Sequence, residues 1–98
     1  MPSTLDVCIV GLGLMGGSLA LALKQAGWQG RITAVSRNAD TLTVAKARGA
    51  IDGGTTDLAD AVQSCDIVVL ATPVRTLLRQ IPQVGRQARA GTIVLDMG

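Results

Sequence analysis

The run Gly11-Leu12-Gly13-Leu14-Met15-Gly16 carries the strongest chemical implication in this 98-residue sequence. It follows Val7-Cys8-Ile9-Val10, which is apolar and mostly β-branched, and it opens a stretch of helical periodicity. A G-x-G-x-x-G triplet says little alone, but between a strand and a helix it has a physical reading. The first glycine permits a tight turn, the second lets a pyrophosphate reach the backbone with no Cβ in the way, and the third lets helix and strand pack closely. Free N–H groups and the positive end of the helix dipole then hold the anion without a lysine. Leu12, Leu14 and Met15 belong to the same loop and count as candidate contacts with the three glycines. The bland reading is a tight strand-to-helix turn with no ligand. Against it, Gly16-Gly17 at a helix start costs about 1 kcal/mol per glycine relative to alanine, which a plain turn leaves uncompensated.

Some 20 residues beyond such a loop, an acid at the end of the second strand would bond the 2′-hydroxyl of NAD. Ser36-Arg37-Asn38 stands there instead. An aspartate would repel a 2′-phosphate, whereas Ser36 can donate a hydrogen bond and Arg37 offers a planar, bidentate fork. NADP is therefore the favoured cofactor, with NAD the alternative. Asn38 also reads as a helix cap, and Arg37 as a solvated residue after a strand, so each position has a structural role to weigh against the binding one. Ala71-Thr72-Pro73, after a later apolar strand, supplies a wall for the same site, and Thr72 doubles as the cap of a helix begun by Pro73.

The elements that must position these residues alternate. Strands are expected at 7–10, 31–35, a very short one within 50–54, 66–71 and 92–96. Between them lie helical stretches: from Leu14 to the stop at Gly27, with Leu19, Leu23, Ala22 and Ala26 inward; from the cap at Asn38 to Gly49, with Leu42, Ala45 and the stem of Lys46 inward; after Thr56 or Asp57, with Leu58, Ala61 and Val62 inward; and around Leu77, Leu78 and Ile81. Short right-handed crossovers in such a series imply an α/β fold: a Rossmann-type, doubly wound parallel sheet, five strands in order 3-2-1-4-5, with helices on both faces. The chain length suits one domain spanning 1–98.

Composition excludes several function classes. A 48% content of hydrophobic residues against 16% charged excludes a disordered chain. A net charge of +2 gives no argument for nucleic acid or a membrane surface. The absence of histidine removes imidazole catalysis from these residues, so none of them is named catalytic, and with no cluster of metal-ligand spacing no metal site is expected. Cys8 and Cys65 read as isolated, small core thiols, which fits a reducing compartment; with no signal peptide or apolar run of spanning length, the cytoplasm is expected. Trp28, the only aromatic residue, reads as a packing cover at the far end of the sheet. Arg75, Arg79, Arg86 and Arg89 read as a solvated helix face, with a docking surface the alternative.

The segment Val10-Gly11-Leu12-Gly13-Leu14-Met15-Gly16-Gly17-Ser18-Leu19-Ala20 resembles the prephenate and arogenate dehydrogenases of tyrosine biosynthesis. Ala71-Thr72-Pro73-Val74 and Ile93-Val94-Leu95-Asp96-Met97-Gly98 match later landmarks of that family, so the resemblance spans essentially the whole chain. Met15 departs from the usual isoleucine and is similar to the loop of the 3-hydroxyacid dehydrogenases, the alternative class. Ser36-Arg37 looks like the NADP-using members. The resemblance implies oxidative decarboxylation of prephenate or arogenate with hydride transfer to the nicotinamide, in enzymes that are homodimeric at full length. It also implies that the hydroxyl-polarising histidine and the substrate arginines come later, which makes these residues the cofactor domain of a longer enzyme. A non-catalytic NADP-sensing module is the other reading. The choice between prephenate and arogenate is not written in these residues.

Overall fold

The computed structural model describes residues 5–71 and 91–96, together with Pro82 and Arg86. Four-residue apolar segments form the middle of the sheet: β1 (Val7–Val10), β2 (Ile32–Val35) and β4 (Ile67–Leu70), with β3 (Gly53–Thr55) and β5 (Ile93–Asp96) outside them. All pairings are parallel and the order is β3-β2-β1-β4-β5. The expected order therefore holds. All four residues of β1 are buried, because the strand is central and covered on both faces.

Alternation along the strands sorts the core into two layers. Val7, Ile9, Ile32, Ala34 and Val69 share one face with Leu42 and with the partly buried Leu19 and Leu23, placing α1 (Leu14–Gln25) and α2 (Ala39–Ala47) there. Cys8, Val10, Val35, Val68 and Leu70 share the other with Ala61 and Val62 of α3 (Leu58–Gln63). Cys8 and Cys65 are both free, buried and in this second layer. They are not isolated from one another: hydrogen bonding to Cys65, followed by burial, holds the Cys8 thiol far above its ordinary range.

Helix ends follow their local chemistry. α1 stops where Gly27 turns to φ +85°, with Gly27 N–H donating to Lys24 and Trp28 N–H to Leu23, which swings the indole onto the core. The Trp28 ring N–H donates to the Leu5 carbonyl at 3.0 Å. α2 is capped by Asn38 as expected, and α3 by Asp57.

Three expectations are corrected. Ala22 and Ala26 are exposed, since Leu19 and Leu23 make the contact of α1 with the sheet, and Lys46 is exposed rather than lying inward. The third strand, expected within 50–54, lies at Gly53–Thr55 and runs one residue further. Ala50 and Ile51 are used as core residues, and the Asp52 carboxylate accepts from β2. Lys24 Nζ meets both Asp52 oxygens at 2.7 Å, and the Ile32 N–H donates to Oδ2 at 2.8 Å, tying α1, β2 and the entry to β3 together. The helix expected around Leu77, Leu78 and Ile81 lies outside the described residues, as do Arg75, Arg79 and Arg89; Arg86 is exposed.

Candidate dinucleotide site

Parallel pairing brings the carboxyl ends of all strands to one edge, where Val10 pairs with both Val35 and Leu70. The ladder runs one residue into each loop. Gly11 N–H donates to the Val35 carbonyl at 2.8 Å, Ala71 N–H to Val10 at 2.9 Å, and Ser36 N–H to Thr55 at 3.2 Å. Those three bonds fix the starts of the glycine loop, the 36–38 turn and the 71–73 segment side by side, at the point where strand order reverses between β1 and β4. Open α/β sheets bind ligands in that crevice.

The three glycines of the loop answer to different constraints. Gly11 has φ +91°, the left-handed region that a side chain disfavours. A Cβ on Gly16 would stand 2.2 Å from the Gly11 carbonyl oxygen and 3.2 Å from Ile9 Cγ2, so glycine there is demanded by the approach of α1 to β1. Gly13 has an ordinary extended backbone, φ −86°, and a Cβ on it would meet nothing within 4 Å. The fold itself places no demand on Gly13. It is the N-cap of α1 and offers no side-chain cap, and the first turn of α1 holds no acid. The first helical bond runs from Gly17 N–H to the Gly13 carbonyl at 2.8 Å, leaving the N–H groups of Leu14, Met15 and Gly16 outside the helical ladder at the positive end of the dipole. α2 and α3, by contrast, carry Asn38 and Asp57 as caps and Asp40 and Asp60 in their first turns.

At the end of β2, Ser36 Oγ accepts from the Asn38 N–H at 3.2 Å, and Asn38 Oδ1 accepts from the Asp40 N–H at 2.9 Å. Asn38 is thus engaged as a cap. Arg37 is exposed between them, and the ion pair found among the described residues, Lys24 with Asp52, does not involve it. Leu12 packs partly buried on the α1–α2 side, and Ala71 is half-buried. The side chains of Leu14 and Met15, and all of Thr72 and Pro73, lie outside the described residues.

Thr55 is a contributor that sequence reasoning missed. Its carbonyl receives Ser36 N–H and its Oγ1 accepts from Asp57 N–H at 3.0 Å, so it anchors the 36–38 turn and the start of α3 together. Its place at the end of a strand adjoining β2 was the available signal, and it depended on locating β3.

A strand-order switch point, an uncapped helix start and a glycine that the fold does not require suit a nucleotide diphosphate. Residues 6–98 match the family described as NADP oxidoreductase, coenzyme F420-dependent. The chain belongs to that family. Within this NADP oxidoreductase family it is similar to the prephenate dehydrogenase of Lactococcus lactis subsp. cremoris, 32% identical over 93 residues, which cover 94% of this chain and 26% of that protein. Among solved structures it is similar to the A. aeolicus prephenate dehydrogenase in complex with hydroxyphenyl propionate and NAD+, with TM-score 0.88, 34% identity, and coverage of 99% of this chain and 34% of that one. The Synechocystis arogenate dehydrogenase gives TM-score 0.85 and 31% identity over 95% of this chain and 32% of the other. The chain thus spans about a quarter to a third of the length of these relatives. The oxidoreductase resemblance seen in the glycine loop holds along the chain, and a nicotinamide dinucleotide is the cofactor class.

Proposed function

We propose that this chain is the cofactor-binding domain of a prephenate or arogenate dehydrogenase and that it holds NADP in preference to NAD. Gly13 carries the reading. A position whose backbone conformation suits any residue, and whose Cβ would point into open space, is explained as glycine by a ligand that must come closer than a side chain allows. In this reading the N–H groups of loop 11–16 bind the diphosphate, and Ser36 to Asn38 border the adenosine ribose. Ala71, with Thr72 and Pro73, walls the pocket.

The cofactor would supply the hydride acceptor. The contribution of this chain is to bind and orient it: α1 directs N–H groups at the diphosphate, and β1, β2 and β4 hold the three loops in register. Arg37 is the group for the 2′-phosphate, because Asn38 is occupied in capping and Ser36 has one oxygen lone pair engaged, leaving a hydroxyl proton to donate. Prephenate or arogenate as substrate rests on the named relatives.

Titration calorimetry of the 98-residue chain with NADP and with NAD, at low and high ionic strength, tests this. The expected result is binding of both, with NADP tighter and its advantage shrinking as salt rises. Failure to bind either dinucleotide would overturn the reading; equal affinities would overturn the NADP preference and leave the rest.

A further inference from the structure

The core layer beside α3 holds two thiols for which the cofactor site has no use. Cys8, on the central strand β1, is 0% exposed, and Cys65, directly after the Ser64 C-cap of α3, is 2% exposed. They stand 57 positions apart in the chain, yet the backbone clamps them side by side. Asp66 N–H and Ile67 N–H both donate to the Asp6 carbonyl, at 2.9 and 3.1 Å, and Asp6 N–H donates back to the Asp66 carboxylate at 2.8 Å. The chain just after Cys65 is thus tied to the residue two before Cys8. The Cys65 S–H donates to the Val62 carbonyl at 3.7 Å, and the two thiols are hydrogen-bonded to each other.

A short helix controls access to the pair. Among the described residues, α3 is the helix on this layer, and its Ala61 and Val62 share the cluster with both thiols. It has six residues, less than two turns, and its start is held by the Asp57 cap and by the Thr55 hydroxyl. Such an element opens as a unit, at lower cost than unfolding the sheet. Lifting α3 uncovers Cys65 and Cys8 in one event. While α3 is seated, the mutual hydrogen bond and burial keep the Cys8 thiol protonated and unreactive.

We propose that Cys8 and Cys65 form a redox latch: a low-molecular-weight disulfide of the glutathione type converts the pair to an internal disulfide that fastens the end of α3 to β1. With α3 lifted, Cys65 loses its proton to water and its thiolate attacks one sulfur of the glutathione disulfide, breaking that S–S bond and releasing a glutathione thiolate. The Cys8 thiolate then attacks the Cys65 sulfur of the mixed disulfide and releases the second glutathione. Two thiols are oxidised to one disulfide, one disulfide is reduced to two thiols, and the two protons pass to the released glutathiones. Closing so long a loop restrains the unfolded chain, so the oxidised form is the more stable. The latch needs no bound dinucleotide. It reaches the cofactor edge through Thr55, which ties the start of α3 to the 36–38 turn.

The native 98-residue chain, kept for hours with oxidised glutathione in mildly alkaline buffer and then treated with iodoacetamide, tests this. Mass spectrometry should show an unalkylated monomer lighter by two hydrogens, with the peptides carrying Cys8 and Cys65 linked. Its urea midpoint should exceed that of the reduced chain and return with dithiothreitol, and amide exchange in α3 should slow on the order of tenfold or more. Two cap variants test the route: Asp57→Ala loosens α3, and Asn38→Ala loosens α2 in the other layer. Circular dichroism checks that both are folded. Asp57→Ala should speed disulfide formation severalfold, and Asn38→Ala should leave it nearly unchanged. Thiols that stay free, separate glutathione adducts or a disulfide between chains in place of the internal bond, an internal bond that lowers the urea midpoint, or equal acceleration by the two variants would each overturn the proposal.

Discussion

Substituting the loop glycines separates what the fold needs from what a ligand needs. Gly13→Val places its side chain in open space on a backbone that already suits it. Two small effects oppose each other: a stiffer unfolded chain stabilises by about 0.4–1 kcal/mol, and loss of a favoured N-cap residue costs a similar amount. Net stability should change by less than about 1 kcal/mol. Dinucleotide affinity should collapse, because the diphosphate is pushed off at least two charge-assisted N–H bonds of roughly 1.5–3 kcal/mol each, more than a hundredfold in all. Gly16→Ala should behave differently. Its Cβ would lie 2.2 Å from a backbone oxygen, over an ångström inside ordinary contact, and the loop and helix must separate. Overpacking of this kind costs about 1–3 kcal/mol, and affinity should fall with stability. Gly17→Ala has open space within a helix and should add about 1 kcal/mol of stability. Urea unfolding followed by Trp28 fluorescence, with calorimetry for NADP, measures both quantities. The reasoning is refuted by a Gly13→Val chain that loses stability as Gly16→Ala does, or that binds NADP undiminished.

Arg37→Ala should lower NADP affinity by roughly tenfold, toward the weak end for a charged hydrogen bond because the residue is exposed, while changing NAD affinity little; both dissociation constants decide it. Asp52 is held below the ordinary carboxylate range by the Lys24 ammonium, then by the Ile32 N–H, against a smaller opposing effect of burial. A depressed pKa in the folded state stabilises above the unfolded value, near pH 4, and that contribution fades as pH falls below it. Asp52→Ala should therefore cost about 1–2 kcal/mol at pH 7, reduced by salt since the pair is partly exposed, and little at pH 2, as read from urea midpoints at the two pH values. Cys8 and Cys65, buried and with the Cys8 thiol held protonated, should resist an aromatic disulfide reagent at pH 8 until urea unfolds the chain; rapid reaction of the native chain would contradict the core described here.

What could be foreseen from the sequence follows from how far apart the cooperating residues lie. β1 and β4 were legible to within a residue at each end because Val7–Val10 and Ile67–Leu70 are continuous apolar runs, the mark of strands covered on both faces. Burial of Ala22 and Ala26 was misjudged because alanine satisfies an apolar pattern without making contact; the longer Leu19 and Leu23 decide where α1 rests. β3 was expected within 50–54 and its last residue was missed, since Gly53-Gly54 has no strand propensity and its glycines answer to other elements. A Cβ at 53 would meet the Arg31 guanidinium at 2.5 Å, and one at 54 would meet Leu42 at 2.9 Å. The missed residue is Thr55, the anchor of the 36–38 turn. The contact between Cys8 and Cys65 was equally invisible, since nothing local to either residue points to the other. The glycine loop is the opposite case. Recognition by backbone N–H groups requires that side chains be absent at set positions, and a sequence records absent side chains as directly as present ones. Yet only the structure separates Gly11, fixed by its dihedral, and Gly16, fixed by its neighbour, from Gly13, which nothing in the chain constrains. In the proposed reading, that leftover freedom is the room a diphosphate needs.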